Sequence, residues 1–311
     1  GPWGLVGEYI EGEATGDHFA RVVAMNGDGN IVAISTYKKA LSATAQWVGK
    51  VYVYSWNGNQ WTSKGQFMSG SQANEMFGHS IALSSNGNRL VIGAPFHNAR
   101  GRVIVMDWSN NAQTYQQIWA REGNGGAQSG HAVAISPDGN RIGIGEPEAG
   151  NGSVIVMDLS DINDVRQFGT TINGDTNSGN NFGASLALKN NGDTIAAGDP
   201  EFDGTNTPDN GHVRVFDLQT QGETQVWVQR GNDIEGSAGG DQSGRSLDLS
   251  ANGNIVAIGS PFSDSAAVNS GQIRVFEWIA NNWTLKGNPI TGSGNAVGEK
   301  IGLERSIALS D

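Results

Sequence analysis

The sequence predicts an all-β chain, a β-propeller of four-stranded antiparallel blades with five complete repeats and a partial sixth formed by the termini. Three observations predict it. Short runs alternate large apolar with small residues, an Asn-Gly or Asp-Gly pair follows each run, and the two together recur at intervals of 52 to 61 residues along 311. A four-stranded meander cannot cover both of its faces, whereas siblings packed around an axis cover each other's.

The first strand of each unit carries the clearest period of two: Arg21-Val22-Val23-Ala24-Met25, His79-Ser80-Ile81-Ala82-Leu83, His131-Ala132-Val133-Ala134-Ile135, Ala184-Ser185-Leu186-Ala187-Leu188 and Arg245-Ser246-Leu247-Asp248-Leu249. Alternation of this kind puts one parity on each face of a sheet. The turns that follow (Asp28-Gly29, Asn86-Gly87, Asp138-Gly139, Asn191-Gly192, Asn252-Gly253) supply the positive φ of a tight hairpin, so an antiparallel second strand is expected at 31–34, 90–92, 142–144, 195–197 and 256–258. After a variable loop a glycine opens a third strand at 51–56, 103–108, 154–159, 213–218 and 273–278. A fourth is clearest around Trp61, Trp227 and Trp283. No helical pattern of useful length appears.

The whole chain, 1–311, reads as one propeller domain with repeats near 19–76, 77–128, 129–181, 182–242 and 243–302. The segment from Trp3 to Gly12 matches that from Trp283 to Gly292, so the sequence opens on a fourth strand at 3–12 and finishes, at 303–311, on a first strand. Propellers close by mixing strands from both ends in one blade, which removes a free edge. Here that blade would hold two strands. Either the ring has five blades with surplus end strands, or it has six positions with one thin blade, which is the reading adopted, or the sequence is cut from a longer array. In that last case the loose strands could pair with another molecule. Self-association through the terminal strands is accordingly a partner expectation.

Phe77-Gly78 followed by Gly93-Ala94-Pro95, Phe182-Gly183 followed by Gly198-Asp199-Pro200, and Ser243-Gly244 followed by Gly259-Ser260-Pro261 resemble the FG-GAP repeats of integrin α-chain propellers and related secreted proteins. Gly145-Glu146-Pro147 keeps the second half of the pattern, and the first unit departs from it with Phe19-Ala20 and Ser35-Thr36-Tyr37. Ser136-Pro137-Asp138-Gly139 also resembles turns of WD40-like and other bacterial propellers. The FG-GAP resemblance implies an extracellular or cell-surface adhesion protein without catalysis. Related repeats hold calcium in an acidic loop between the first two strands. The turns here are too short to offer six to eight oxygens, so neither metal nor cofactor is expected.

Composition narrows the classes further. With 19 Lys+Arg against 31 Asp+Glu the net charge is −12, which disfavours nucleic acid and anionic membrane surfaces as partners. No apolar run is long enough for insertion into a membrane. The absence of cysteine removes disulfides, thiol catalysis and thiolate metal sites. No zinc-protease, nucleophile-elbow, phosphate-loop or dinucleotide motif appears. The expectation is therefore that the chain is not an enzyme and has no catalytic residue.

Candidate binding residues follow from the repeat. The residue opening each first strand is Arg21, His79, His131, Ala184, Arg245 and Arg305 in turn, and symmetry places these at one height around the axis. Such a basic ring would gather carboxylate, sulfate or phosphate unless nearby acids (Glu146, Asp199 or Asp248) neutralise it. The loops after the second strand are long in units one, four and five (38–48, 201–210, 262–270), which become neighbours in a closed ring. Tyr37, Trp47, Phe202 and Phe262 are their candidate aromatic anchors, with local packing as the competing role. Glu146 and Asp199 are the acids that a polysaccharide-cleaving site would use. The expected function is adhesion or assembly, contacting a protein or glycan through the loop-rich face. A lectin-like propeller is the alternative, followed by a glycosidase or lyase.

Overall fold

The computed structural model describes residues 4–13, 18–37, 47–176, 181–204, 207–293, 298–303 and 307–309. Among them are five antiparallel sheets, each ordered first strand to last in sequence, and no α-helix. The first sheet comprises β1 (Val22–Met25), β2 (Ile31–Ser35), β3 (Lys50–Trp56), β4 (Trp61–Ser63) and β5 (Met68–Ser69). The second has β6 (Ser80–Leu83), β7 (Arg89–Ala94), β8 (Arg102–Ser109) and β9 (Thr114–Glu122). The third has β10 (Ala132–Ile135), β11 (Arg141–Glu146), β12 (Ser153–Asp158), β13 (Arg166–Gln167) and β14 (Ile172–Asn173). The fourth has β15 (Ser185–Lys189), β16 (Thr194–Asp199), β17 (His212–Gln221), β18 (Thr224–Gln229) and β19 (Ile234–Glu235). The fifth has β20 (Ser246–Leu249), β21 (Ile255–Ser260), β22 (Gln272–Ile279), β23 (Asn282–Leu285) and β24 (Ile290–Thr291). The first strands β1, β6, β10, β15 and β20 lie side by side in that order, so the sheets radiate from a common axis as propeller blades do.

Two local features differ from the expectation. The turn after each first strand is wider than a two-residue hairpin: Ser84 and Arg89 pair across residues 85–88, and Gly87, at φ 68°, donates its N–H back to the Ser84 carbonyl. The Ser84 hydroxyl and the Asn86 side chain accept the N–H groups of Arg89 and Asn88, so side chains supply partners that a tighter turn would not need. The outer strand is broken in four sheets into two short pieces, each pairing with a different part of the third strand, as β18 and β19 both do with β17.

Apolar side chains collect between consecutive sheets, one cluster for each of the four junctions from first to fifth. Leu90 and Ile92 fill the first junction, Ile142 and Ile144 the second, Phe182 and Ile195 the third, and Val256 and Ile258 the fourth, all of them buried. Burying each such side chain is worth about 1.5–3 kcal/mol, which makes these junctions the main store of stability. Of the expected terminal strands, residues 4–12, 303 and 307–309 are described and run without ladder pairing, and the rest lie outside the described residues.

Candidate functional site

The axial mouth is built by the residue that opens each first strand. Ahead of it stands a residue with left-handed backbone: Gly78, Gly130, Gly183 and Gly244 at φ 83° to 92°, and Ala20 at 61°. In the four glycine units that residue's N–H donates to the carbonyl at the second-strand position of the same sheet, as Gly78 does to Gly93 and Gly130 to Gly145. The glycine therefore docks the chain against its own sheet and aims the next side chain at the axis. A Cβ on Gly78 would lie 2.8 Å from the Val51 side chain, which leaves no room for a larger residue.

This device brings Arg21, His79, His131, Ala184 and Arg245 from all five sheets around one cavity of about 350 Å³. Tyr37 lies on the same wall. Its ring packs on His79 at 5.2 Å, and its hydroxyl accepts from Arg21 Nε at 3.2 Å. The His79 and His131 rings stand 4.8 Å apart. His79 Nδ1 donates to the His131 carbonyl at 3.2 Å, which leaves Nε2 as the acceptor in the neutral ring. Arg245 donates to the Gln242 side chain at 3.2 Å. Arg305 lies outside the described residues.

The acids are placed differently from the sequence reading. Glu146 and Asp199, expected on this face, are buried within the blades. Glu146 is paired with Arg121 at 2.5 Å, and Asp199 sits in the β16–β17 ladder opposite His212. Asp248 faces Lys189 at 3.8 Å and accepts the Leu309 N–H at 2.8 Å, away from the mouth. The acids that do line the cavity are Glu148 and Glu201, the latter accepting from Asn181 Nδ2 at 2.5 Å. Both follow a proline, in Glu146-Pro147-Glu148 and Asp199-Pro200-Glu201, at matching positions of units three and four. The signal was present: the residue before each proline ends a strand inside the sheet, and the residue after it reaches the mouth.

Of the four candidate loop aromatics Tyr37 lines the cavity, whereas Trp47, Phe202 and Phe262 do not. Phe202 stacks on the His212 ring at 3.9 Å, and Phe262 lies under the Lys300 ammonium at 4.6 Å. Trp47 is exposed, at φ 51°. Beneath Phe202, Asp175, His212 and Asp233 bring their ligand atoms within 4.8 Å of one another. The Arg214 guanidinium, 3.0 Å from Asp175 and 4.2 Å over the Phe182 ring, supplies the positive charge there. Burial works to raise the Asp233 carboxyl, but hydrogen bonds from His212 and Gln229 and the nearby charges of His212 and Arg214 hold it below its ordinary value.

No protein-family model and no curated sequence matches the chain. Solved structures do. The chain superposes with TM-score 0.58 on a candidate 6-phosphogluconolactonase from Bacteroides uniformis, at 12% identity over 87% of this chain and 84% of that one. It superposes with TM-score 0.51 on TolB from Acinetobacter baumannii, at 13% identity over 87% of this chain and 54% of that one, so it spans about half of TolB. It superposes with TM-score 0.50 on Sqt1 from Saccharomyces cerevisiae, at 12% identity over 86% and 61% of the two chains. The fold is a β-propeller. At these identities the likeness concerns fold alone, and it does not single out FG-GAP repeats among propellers. It does overturn the expectation that the chain is not an enzyme. A protein named for lactone hydrolysis shares the architecture, so missing catalytic motifs do not exclude catalysis on this scaffold. Among the described residues no helix is long and apolar enough to cross a membrane.

Proposed function

We propose that the chain is a binding propeller whose axial mouth takes a small ligand bearing a carboxylate or phosphate and several hydroxyls, of the size of a sugar acid. The observation that carries this reading is convergence. Arg21, His79, His131 and Arg245 come from four different sheets and meet around one cavity, with the Tyr37 hydroxyl beside them. In a protein of net charge −12 the Arg21 and Arg245 guanidinium groups offset Glu148 and Glu201 on the described lining, so the mouth is less hostile to an anion than the rest of the surface. Glu148 and Glu201 on the same lining suit hydroxyl donors better than a second anionic group. Opening of a sugar lactone in this mouth is the second reading, favoured by the His79 and His131 rings on its lining, since imidazole is the side chain suited to take a proton from water near neutral pH. Placement outside the cytoplasm, as the FG-GAP resemblance implies, belongs to the same reading. Protein or glycan contact through the loop-rich face is less favoured, because Phe202 and Phe262 are engaged locally.

The test is calorimetric titration with gluconate 6-phosphate, gluconate and glucose. Binding of the two acids is expected, weakened about tenfold or more in Arg21→Gln and in Arg245→Gln, because each removes a charge-assisted hydrogen bond. Glucose binding as tightly as the acids, or acids binding equally well to both variants, would overturn the proposal. Following the lactone of gluconate 6-phosphate by NMR in the same samples reads hydrolysis. A rate equal to that of the His79→Gln variant removes the second reading and leaves the first standing.

A further inference from the structure

A buried histidine at the junction of the third and fourth sheets plays no part in the mouth. His212 opens β17, its side chain is fully enclosed, and its Nε2 meets no hydrogen-bond partner among the described residues. A ring nitrogen buried in that state is costly, and calls for a partner. The Phe202 ring, stacked on it at 3.9 Å, fixes the plane of the imidazole.

Two carboxylates stand within reach of that ring. Asp233 precedes β19 in the same sheet, and its Oδ2 is 3.0 Å from His212 Nδ1. Asp175 follows β14 of the third sheet, and one ligand atom from each of the three residues lies within 4.8 Å of the others. Ligands held by zinc at about 2.0–2.2 Å stand about 3.3–3.5 Å apart along a tetrahedron's edges. Small side-chain shifts would therefore close this triad on a metal. The Asp175 side chain is 43% exposed, which gives an ion a way in from solvent.

Charge points the same way. Asp199, fully buried, faces His212 across the β16–β17 ladder, on the same side of the sheet. The Nη1 and Nη2 bonds of Arg214 go to Asp175 Oδ1 and the Asn173 carbonyl, so this guanidinium braces Asp175 against the third sheet. Ionised, the three carboxylates outnumber it, an excess of negative charge that a divalent cation balances. In the third sheet the matching acid, Glu146, faces Ser153 and pairs with Arg121, whereas the fourth sheet puts a histidine in place of that serine.

We infer that Asp175, His212 and Asp233 form a structural site for one divalent transition cation of the zinc class, which ties the third sheet to the fourth. An imidazole with two carboxylates suits zinc and its neighbours better than calcium, which takes oxygen ligands alone. Once one ring nitrogen takes the metal, the other donates. The Asp199 carboxylate is placed to accept from it, the usual second support of a metal-bound imidazole.

The probe is zinc alone, titrated calorimetrically into the full chain after dialysis against EDTA. Saturable uptake of one zinc per chain is expected, with a rise in melting temperature that excess EDTA reverses. Affinity should fall about tenfold or more in His212→Gln and in Asp175→Asn. The Asp175 side chain is partly wet, so that variant keeps the fold and decides the matter if the histidine variant does not. His79→Gln should leave the uptake unchanged. No saturable uptake in the micromolar range would overturn the inference, as would uptake indifferent to Asp175→Asn, or calcium bound as tightly as zinc. Loss of uptake in His79→Gln would overturn it too, because the metal would then sit in the mouth.

Discussion

The Asp233 carboxyl shows how a single residue ties two blades. Its partners His212 and Gln229 belong to the fourth sheet, and Arg214 beside it reaches across to the Asn173 carbonyl and Asp175 of the third. Because its folded pKa is depressed, its contribution to stability is fully present above the unfolded pKa and is lost as pH falls through the folded one. Asp233→Asn should therefore lower the urea midpoint at pH 7. The difference from the parent should shrink as the pH is brought below about 4, the ordinary carboxylate range. Equal midpoints at neutral pH would show that the ion pair is stabilising nothing. Little of this could be read beforehand, since Arg214 stands 39 and 41 positions from Asp175 and Asn173, across a junction between sheets. The mouth was legible for the opposite reason: its side chains repeat at one position per unit, so symmetry alone assembles Arg21, His79, His131 and Arg245. Glu148 and Glu201 were missed because the proline between Glu146 and Glu148 reverses which of the two acids reaches the axis.

Elements show the same division. First, second and third strands were readable because four or more residues of alternation outlast local noise. Outer strands of two residues, such as β5, β13 and β14, carry no usable period and no tryptophan, unlike β4, β18 and β23 with Trp61, Trp227 and Trp283. Trp227 and Trp283 are buried, and each also donates its indole N–H to the neighbouring blade. That second role predicts a graded series measured by thermal or urea unfolding. Trp227→Phe, which keeps most of the packing and loses the donor, should cost about 1 kcal/mol. Trp227→Ala should cost about 3–5 kcal/mol. Identical losses for the two would assign the whole effect to the hydrogen bond and refute the packing role.

For the whole molecule, stability is distributed as a chain of junctions rather than in one centre. Among the described residues four apolar clusters join five sheets, and none of these spans the fifth and the first. Quasi-one-dimensional assemblies open where a nearest neighbour is missing. Amide exchange should accordingly be fastest in β1 and in β23–β24 and slowest in β10, β11 and β12, which have sheets on both sides. Uniform protection across all five sheets would contradict this.

The axial mouth also bears on how the five sheets are held together. Every sheet sends one side chain to the hub, so a guest held there touches all five spokes at once. Its binding free energy would act as a hoop, holding together the first and last spokes, which no apolar cluster of the described residues joins.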